Sequence, residues 1–142
     1  MLKHIPQILH PELVKVMMEM GHSDTLVIAD ANFPAYSKGK NILLLPGTET
    51  VELLEGILSL FPLDTFISHP VKLMRNLDTE PVPGIWKTYR ELLEKYDEEK
   101  VFQEFGYLDR MAFYEEARKA CLIVQTATTA RYANIILQKG VI

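Results

Sequence analysis

Residues 11–30 read PELVKVMMEMGHSDTLVIAD, and in them a helical pattern is followed directly by a strand pattern. Leu13, Met17 and Met20 recur at spacings of four and three, which places them on one face of a helix. Residues 25–29 are nearly all apolar and rich in β-branched side chains, which is typical of a strand that is buried on both faces. The stretch therefore predicts a helix packed against a buried strand, the basic unit of an α/β fold.

Further strand and helix patterns alternate along the rest of the chain. Strand patterns occur at residues 41–45, 65–68, 71–77, 122–126 and 132–137. Amphipathic helix patterns occur between Thr48 and Phe61, at residues 85–96 and at residues 110–120. Residues 78–84, which include two prolines and one glycine, are predicted to form a surface loop. Helices that alternate with short apolar strands predict an α/β layered domain, with a mainly parallel sheet flanked by helices.

The composition indicates an ordinary soluble globular chain. Its 142 residues include 19 acidic and 15 basic side chains, which give a formal net charge of −4, and 48% of the residues are hydrophobic. The mild excess of acids argues against nucleic acid or an anionic membrane as a partner, since both attract a basic face. No stretch of the sequence approaches the roughly 18 apolar residues of a membrane span. We therefore expect a single domain over residues 1–142.

The N-terminal and cysteine patterns bear on the cellular compartment. The first residues lead into no apolar run with a small-residue cleavage site, so no secretory signal is expected. Cys121 is the single cysteine, which excludes a disulfide within the chain. Together the two observations predict a cytoplasmic protein.

Several motifs of well-known chemistry are missing from the sequence. Neither H-x-x-x-H nor C-x-x-C spacing occurs, so no metal site is predicted. Neither a G-x-S-x-G elbow nor a glycine-rich phosphate loop occurs, which leaves serine hydrolases and nucleotide-binding proteins without support.

Polar side chains flank the predicted strand at residues 25–29. His22 precedes the strand, and an imidazole with an unperturbed pKa of about 6.5 can carry or accept a proton near neutral pH. A surface or capping histidine is the alternative. Asp24 is more simply a turn residue that bonds its own backbone, although it can also orient His22. Asp30 follows the strand, either as a carboxylate ligand for sugar hydroxyls or as a solvated strand end.

Three more polar residues are candidates in the second half of the chain. Arg110 falls on the first turn of a predicted helix, where a cation lies unfavourably beside the positive end of the helix dipole. It can pair with an acid, hold a hydroxyl group or simply be exposed. Tyr132 and Asn134 lie two residues apart in a predicted strand and therefore point to the same side, where a phenol and an amide can bind a polyol. A half-buried sheet edge is the alternative role for this pair.

Motifs spread over nearly the whole chain carry a family resemblance. Gly-His-x-Asp occurs at residues 21–24, Asp-x-Asn-Phe-Pro at residues 30–34 and Tyr-x-Asn-x-Ile-Leu at residues 132–137. Phe-Pro-Leu-Asp at residues 61–64 and Arg-x-Ala-Phe-Tyr-Glu at residues 110–115 lie between them in the family's order. In these segments the chain resembles the bacterial ribose pyranase and fucose mutarotase family, and within it the L-fucose mutarotase branch.

The resemblance implies a function and a set of residue roles. Family members interconvert forms of a free monosaccharide, so the chain is expected to be an isomerase that exchanges the α and β anomers of L-fucose. The resemblance implies His22 as the acid/base residue. It implies four sugar contacts, which are Asp30, Arg110, Tyr132 and Asn134. D-ribose pyranase activity is one alternative, and a non-catalytic sugar-binding regulatory oligomer is another.

The resemblance also implies an assembly without a cofactor. Family members usually form a homo-oligomer, a ring-like decamer of two pentamers, with their sites near subunit interfaces. No metal or organic cofactor is expected. A free monosaccharide, L-fucose or D-ribose, is the expected small-molecule partner.

The chemistry that the resemblance implies needs two proton-transfer groups. Ring opening requires a base to take the O1 proton and an acid to give a proton to the ring oxygen. His22 can serve at one of the two oxygens. Tyr132, Asp30 or a bound water could serve at the other, and the sequence leaves these alternatives open.

The chain departs from the family pattern at a few positions. Ser23 and Ala31 replace common glycines. Residues 126–129 read Thr-Ala-Thr-Thr where the fucose branch usually has Thr-Gly-Glu-Thr. A glutamate there would lie close to the predicted sugar-binding strand, so its loss bears on sugar preference.

Overall fold

The computed structural model describes residues 2–142 as alternating helices and strands. The helices are α1 (Pro11–Glu19), α2 (Ala35–Lys38), α3 (Thr50–Leu58), α4 (Ile85–Tyr96) and α5 (Arg110–Lys119). The strands are β1 (Thr25–Ala29), β2 (Ile42–Leu44), β3 (Val71–Met74), β4 (Gly106–Leu108), β5 (Leu122–Gln125) and β6 (Ile135–Gln138). Within residues 2–142, no helix is both long and apolar enough to cross a membrane.

The strands form one mixed sheet in the order β2-β5-β1-β6-β3-β4. The pairs β1–β5, β2–β5 and β3–β4 are parallel, which agrees with the predicted mainly parallel α/β sheet. β6 runs antiparallel to both of its neighbours, β1 and β3. The reason lies in the connection from β5, residues 126–134, which contains no crossover helix. The chain therefore re-enters the sheet at the edge where β5 ended, and β6 must run in the opposite direction.

The central strand separates two apolar layers. Leu26 and Ile28 of β1 point into a layer that is closed by α1, α3 and α4. Val27 and Ala29, which alternate with them, point into a second layer that is closed by α2 and α5. All four side chains are fully buried. The nearly unbroken apolar run of β1 is therefore explained by helices on both faces of the sheet.

Buried polar contacts fix the connection between β5 and β6. The Tyr89 hydroxyl, on α4, donates to the Ala133 carbonyl oxygen at 2.7 Å. Burial raises the pKa of this tyrosine. The Thr128 hydroxyl oxygen accepts from the Thr50 backbone N–H at 2.8 Å. Because α3 and α4 both bond to this connection, the residues that it carries are held in one position.

Two of the strand predictions are wrong. Residues 65–68 form bends rather than a strand, and the Phe66 backbone N–H donates to the Asp64 carboxylate at 2.9 Å, a local turn bond that competes with sheet pairing. The last strand begins at Ile135 rather than at residue 132. Tyr132 has φ 58°, in the left-handed region, so the strand-based reason for placing it on the same side as Asn134 fails. β4 and α2 are both short and were not predicted from the sequence.

Candidate functional site

Polar side chains surround a cavity at the edge of the sheet where β1, β3 and β5 end. This edge is also where the 126–134 connection enters β6. The cavity has a volume of about 250 Å³, and Asp30, Met74 and Tyr114 contribute to its wall from β1, β3 and α5. Residues 129–132 and Asn134 line it from the connection. Ligands of open α/β sheets bind at this carboxyl edge, because the loops there gather polar groups.

Asp30 and Asn134 form a reciprocal pair in the wall of the cavity. The Asn134 side-chain oxygen accepts from the Asp30 backbone N–H at 2.8 Å, and its Nδ2 donates to Asp30 Oδ2 at 2.8 Å. The other carboxylate oxygen, Oδ1, accepts from the Asn32 backbone N–H at 2.8 Å. Burial raises the pKa of Asp30, while these hydrogen bonds act in the opposite direction. Each carboxylate oxygen keeps a free lone pair, so Asp30 can accept from two further hydroxyl groups.

Tyr132 lies beside this pair, although the reason is not a strand. Its backbone is in the left-handed region, and its carbonyl oxygen accepts from the Trp86 indole N–H at 2.9 Å. Its phenol donates to Glu80, and the same carboxylate pairs with Arg131 at 2.5 Å. The tyrosine hydrogen bond lowers the pKa of Glu80, and the carboxylate in turn raises the pKa of Tyr132. Glu80 was missed from the sequence because it lies 52 positions from Tyr132, in the 78–84 loop.

Arg110 is at the same edge of the sheet. It begins α5 directly after β4, and it is exposed. Tyr114, one helical turn later, lines the cavity, so Arg110 occupies the neighbouring position on that helix face. The nearby Asp109 carboxylate pairs instead with Arg75, at 3.3 Å. Arg110 is not among the residues that form the cavity wall.

His22 lies at the opposite end of the sheet and is paired with an aspartate. Its Nε2 is 3.1 Å from Asp64 Oδ1, and the two side chains are 41% and 1% exposed. The Asp64 carboxylate also accepts from the Phe66 N–H and from Gln138 Nε2, each at 2.9 Å. Although burial acts to raise the pKa of Asp64, these three hydrogen bonds lower it below its ordinary value. The arrangement leaves Nδ1 as the imidazole nitrogen that is not bound to Asp64.

Asp64, rather than Asp24, is the carboxylate that contacts His22. Asp24 accepts from the Gly21 backbone N–H at 2.8 Å, which is the turn role that its position in the sequence favours. Asp64 lies 42 positions from His22, so no local pattern connects the two residues. The sequence did contain one indication of Asp64, the Phe-Pro-Leu-Asp segment at residues 61–64, which is one of the motifs that carry the family resemblance.

The length of β1 separates the two groups of candidate residues. His22 comes before this five-residue strand and Asp30 comes after it. At 3.3–3.4 Å per residue, the strand alone places them about 17 Å apart. The structure therefore brings Asp30, Tyr132 and Asn134 together, with Arg110 nearby, and holds His22 apart from them. Within one chain, His22 and the cavity cannot contact the same small molecule.

The arrangement of carboxylates and histidines bears on metal binding. In the part of the chain that the structure describes, no three His, Cys, Asp or Glu side chains are grouped so that they could hold a metal ion. The polar groups of the cavity are suited to hydrogen bonding with a hydroxylated ligand.

The chain is similar in sequence and in structure to proteins that are already known. The chain matches the RbsD / FucU transport protein family over residues 3–142. It is 41% identical to the fucose mutarotase of Mus musculus, over 98% of this chain and 94% of the relative. The fucose mutarotase in complex with L-fucose from Streptococcus pneumoniae has a TM-score of 0.91 at 42% identity, over 99% of each chain. Bacillus subtilis RbsD complexed with D-ribose has a TM-score of 0.74 at 25% identity, over 100% of this chain and 99% of that chain.

Proposed function

The chain belongs to the RbsD / FucU transport protein family, and from that premise we propose that it is an L-fucose mutarotase. The reaction is the interconversion of the α and β anomers of free L-fucose by ring opening and closure. The observation that carries the proposal is the buried Asp30–Asn134 pair beside Tyr132, in the wall of a cavity of about 250 Å³. Its fixed acceptors and donors suit the hydroxyl groups of a sugar.

We propose that the sugar binds in this cavity. Asp30 accepts hydrogen bonds from two sugar hydroxyls, and Asn134 holds the carboxylate in position. Tyr132 contacts the sugar from beside this pair, and Arg110 reaches the rim of the cavity from the first turn of α5. The closeness of Asp30, Tyr132 and Asn134 supports these roles, as does the position of Arg110 next to Tyr114 on the helix face.

We also propose that each complete site is built from two subunits. His22 is the acid/base residue, and it must meet a sugar that is bound about one strand length away in its own chain. A neighbouring subunit can bring its own His22 to the cavity, which places the site at a subunit interface. A ring-like decamer of two pentamers is the assembly that we propose: the family resemblance implies it, and a heterologous contact of this kind can close into a ring.

The proposed chemistry is proton transfer at two oxygens. As the bond between C1 and the ring oxygen breaks, His22 gives a proton to the ring oxygen and a second group takes the O1 proton. The open-chain aldehyde turns about the C1–C2 bond, and the same steps in reverse close the other anomer. Each well-placed proton transfer accelerates such a reaction by a factor on the order of 10² to 10⁴.

We propose further that residues 1–142 act as one domain in the cytoplasm. The single sheet supports one domain, because β1 from the first half of the chain pairs with β5 and β6 from the second half. The single cysteine, Cys121, suits a reducing compartment.

The departing residue Thr128 lies outside the cavity wall. Thr128 is buried, and its hydroxyl donates to the Glu49 carboxylate at 2.5 Å. Thr126 donates to the Ala29 carbonyl oxygen at 2.9 Å. Both side chains are therefore used in anchoring the connection. D-ribose pyranase activity, or sugar binding without catalysis, is the alternative that the following experiment separates.

Proton NMR saturation transfer between the anomeric signals of L-fucose tests the proposal, with D-ribose measured in parallel. We expect enzyme-dependent transfer for fucose and weaker transfer for ribose. Transfer for ribose alone would indicate a pyranase, and transfer for neither sugar would indicate a binding protein. His22→Gln is expected to lower the exchange rate at least 100-fold while the fold is retained. His10→Gln is the matched control, because His10 instead caps α1 by accepting from the Glu12 N–H.

A further inference from the structure

Tyr132 is held between two cavities, only one of which is the proposed sugar site. It lines that site together with Asp30 and Asn134. It also lines a second cavity of about 270 Å³, whose wall includes Glu80 and several residues of the 78–84 loop. Glu80 lines only the second cavity, and its two side-chain partners, Tyr132 and Arg131, line both.

The backbone of Tyr132 is held in a costly conformation. A non-glycine residue in the left-handed region is disfavoured sterically and persists only where its surroundings hold it. Here the Trp86 indole bonds to its carbonyl oxygen at 2.9 Å, and Glu80 bonds to its phenol. Strained positions of this kind concentrate at functional sites.

Glu80 fixes the direction of the hydrogen bond that it makes with the Tyr132 phenol. A carboxylate only accepts hydrogen bonds, so the hydroxyl hydrogen of Tyr132 must point at Glu80. Arg131 pairs with the same carboxylate at 2.5 Å and favours its ionised form. The lone pairs of the phenol oxygen are then the part of that group that remains free to meet a sugar hydroxyl. Toward a hydroxyl group in the cavity, the phenol of Tyr132 can therefore act only as an acceptor.

We infer that Glu80 is a positioning residue that makes Tyr132 the proton acceptor for the anomeric hydroxyl of the sugar. The inference rests on the proposed mutarotase function and identifies the second proton-transfer group of that reaction. It distinguishes Tyr132 from the other two candidates, Asp30 and a bound water. Asp30 is held by Asn134 and Asn32, and its remaining lone pairs take the hydroxyl-binding role proposed above.

The proton transfers of ring opening balance with these groups. The O1 proton passes to the Tyr132 oxygen as the phenolic proton passes to the Glu80 carboxylate. The electron pair of the O1–H bond forms the C1=O1 double bond, and the pair of the C1–ring oxygen bond stays on the ring oxygen. The ring oxygen takes its proton from protonated His22 of the neighbouring subunit. Ring closure returns each proton along the same route.

Glu80→Gln is the variant that tests the inference. The amide has nearly the same size but does not readily accept a proton, and its NH₂ group can donate to the phenol and reverse the hydrogen bond. We expect kcat for fucose anomer exchange to fall about 100-fold, with KM changed less than threefold, because sugar binding by Asp30 and Asn134 is intact.

Glu55→Gln is the matched control. Glu55 also accepts from a tyrosine, Tyr96 at 2.8 Å, and pairs with a cation, Lys95 at 3.0 Å, but it lies on the α3–α4 surface away from both cavities. The same chemical change there is expected to leave kcat unchanged.

A double mutant separates action through Tyr132 from a general effect on the loop. If Glu80 acts through the phenol, the variant that combines Glu80→Gln and Tyr132→Phe will be no slower than Tyr132→Phe alone. Multiplied losses in the double variant, or a Glu80→Gln variant with normal kcat, would overturn the inference. Wild-type protein without any fucose exchange would instead overturn the proposed function, so the two failures are distinguishable.

Discussion

At the residue scale, the contact between His22 and Asp64 sets which imidazole nitrogen is left without a bond to the carboxylate. Asp64 accepts from Nε2, so in neutral His22 the proton lies on Nε2 and the lone pair lies on Nδ1. The carboxylate is almost wholly buried, whereas the imidazole is 41% exposed. Asp64 therefore holds the half-exposed ring through Nε2. Nδ1 is then the nitrogen that we propose a neighbouring subunit approaches.

The buried carboxylate of Asp64 also makes folding stability depend on pH. Its hydrogen bonds lower its folded-state pKa, so its contribution is complete above the unfolded value of about 3.9 and is lost as pH falls through the lower folded value. Asp64→Asn should lower the free energy of unfolding by about 2 kcal/mol at pH 7, and by less near pH 3. Urea unfolding at the two pH values measures the difference.

The exposed Asp78 provides the control for this experiment. It lies in the 78–84 loop, and Asp78→Asn should change the unfolding free energy little at either pH. An Asp64→Asn loss that was as large at pH 3 as at pH 7 would contradict the charge-dependent account and indicate a loss of hydrogen bonding that does not depend on charge.

At the element scale, the end of β6 is packed tightly against the segment that carries Asp64. The Gly140 backbone N–H donates to the Pro62 carbonyl oxygen at 2.9 Å. A Cβ on Gly140 would lie 2.3 Å from the Leu63 carbonyl oxygen and 2.9 Å from the Asp64 Cα. Only glycine permits this approach, so Gly140 helps to set the position of the His22 partner.

Gly140→Ala should therefore force these two backbone segments apart. We expect a loss of about 1–3 kcal/mol in unfolding free energy, the usual cost of overpacking, together with slower fucose exchange as Asp64 is displaced. Gly47→Ala is the control, because a Cβ there would meet no atom within 4 Å. Thermal unfolding and NMR exchange measure the two effects. Equal melting temperatures for the two variants would show that the segments can separate without cost.

At the scale of the whole molecule, the proposed two-subunit site predicts complementation between inactive variants. His22→Gln and Asp30→Asn should each be inactive alone, because every interface then lacks one essential group. After the subunits are mixed and exchanged in equal amounts, about a quarter of the interfaces combine a wild-type His22 with a wild-type Asp30. NMR exchange of fucose by the mixture should recover to about that fraction of wild-type activity.

Light scattering on the same samples controls for assembly. The chain has a mass of 16.3 kDa, and the proposed oligomer must be several times larger. Exposed apolar residues such as Leu2 and Met18 line a groove beside α1 and are available for subunit contacts. No recovered activity in a fully exchanged oligomer, or a wild-type protein that is monomeric and active, would contradict a site shared between subunits.

Local patterns predicted the elements whose sequence is strongly periodic or apolar. The predicted strand at residues 25–29 coincides with β1, and the predicted helix at residues 85–96 coincides with α4. The short elements β4 and α2 carry too few residues for a pattern to show. The prediction at residues 65–68 failed because a side-chain bond from Asp64 favours a turn there, and that bond is not visible in the hydrophobic pattern.

The sequence by itself determined the α/β class, the buried central strand and the residue types of the candidate site, because these follow from local periodicity and from motifs. Only the tertiary structure decided which side chains meet. Asp64 reaches His22 across 42 positions and Glu80 reaches Tyr132 across 52. It also decided that β1 holds His22 apart from Asp30, two residues that are near neighbours in the sequence. The physical reason is that an extended strand keeps its ends at opposite edges of the sheet, whereas sheet packing brings distant loops together.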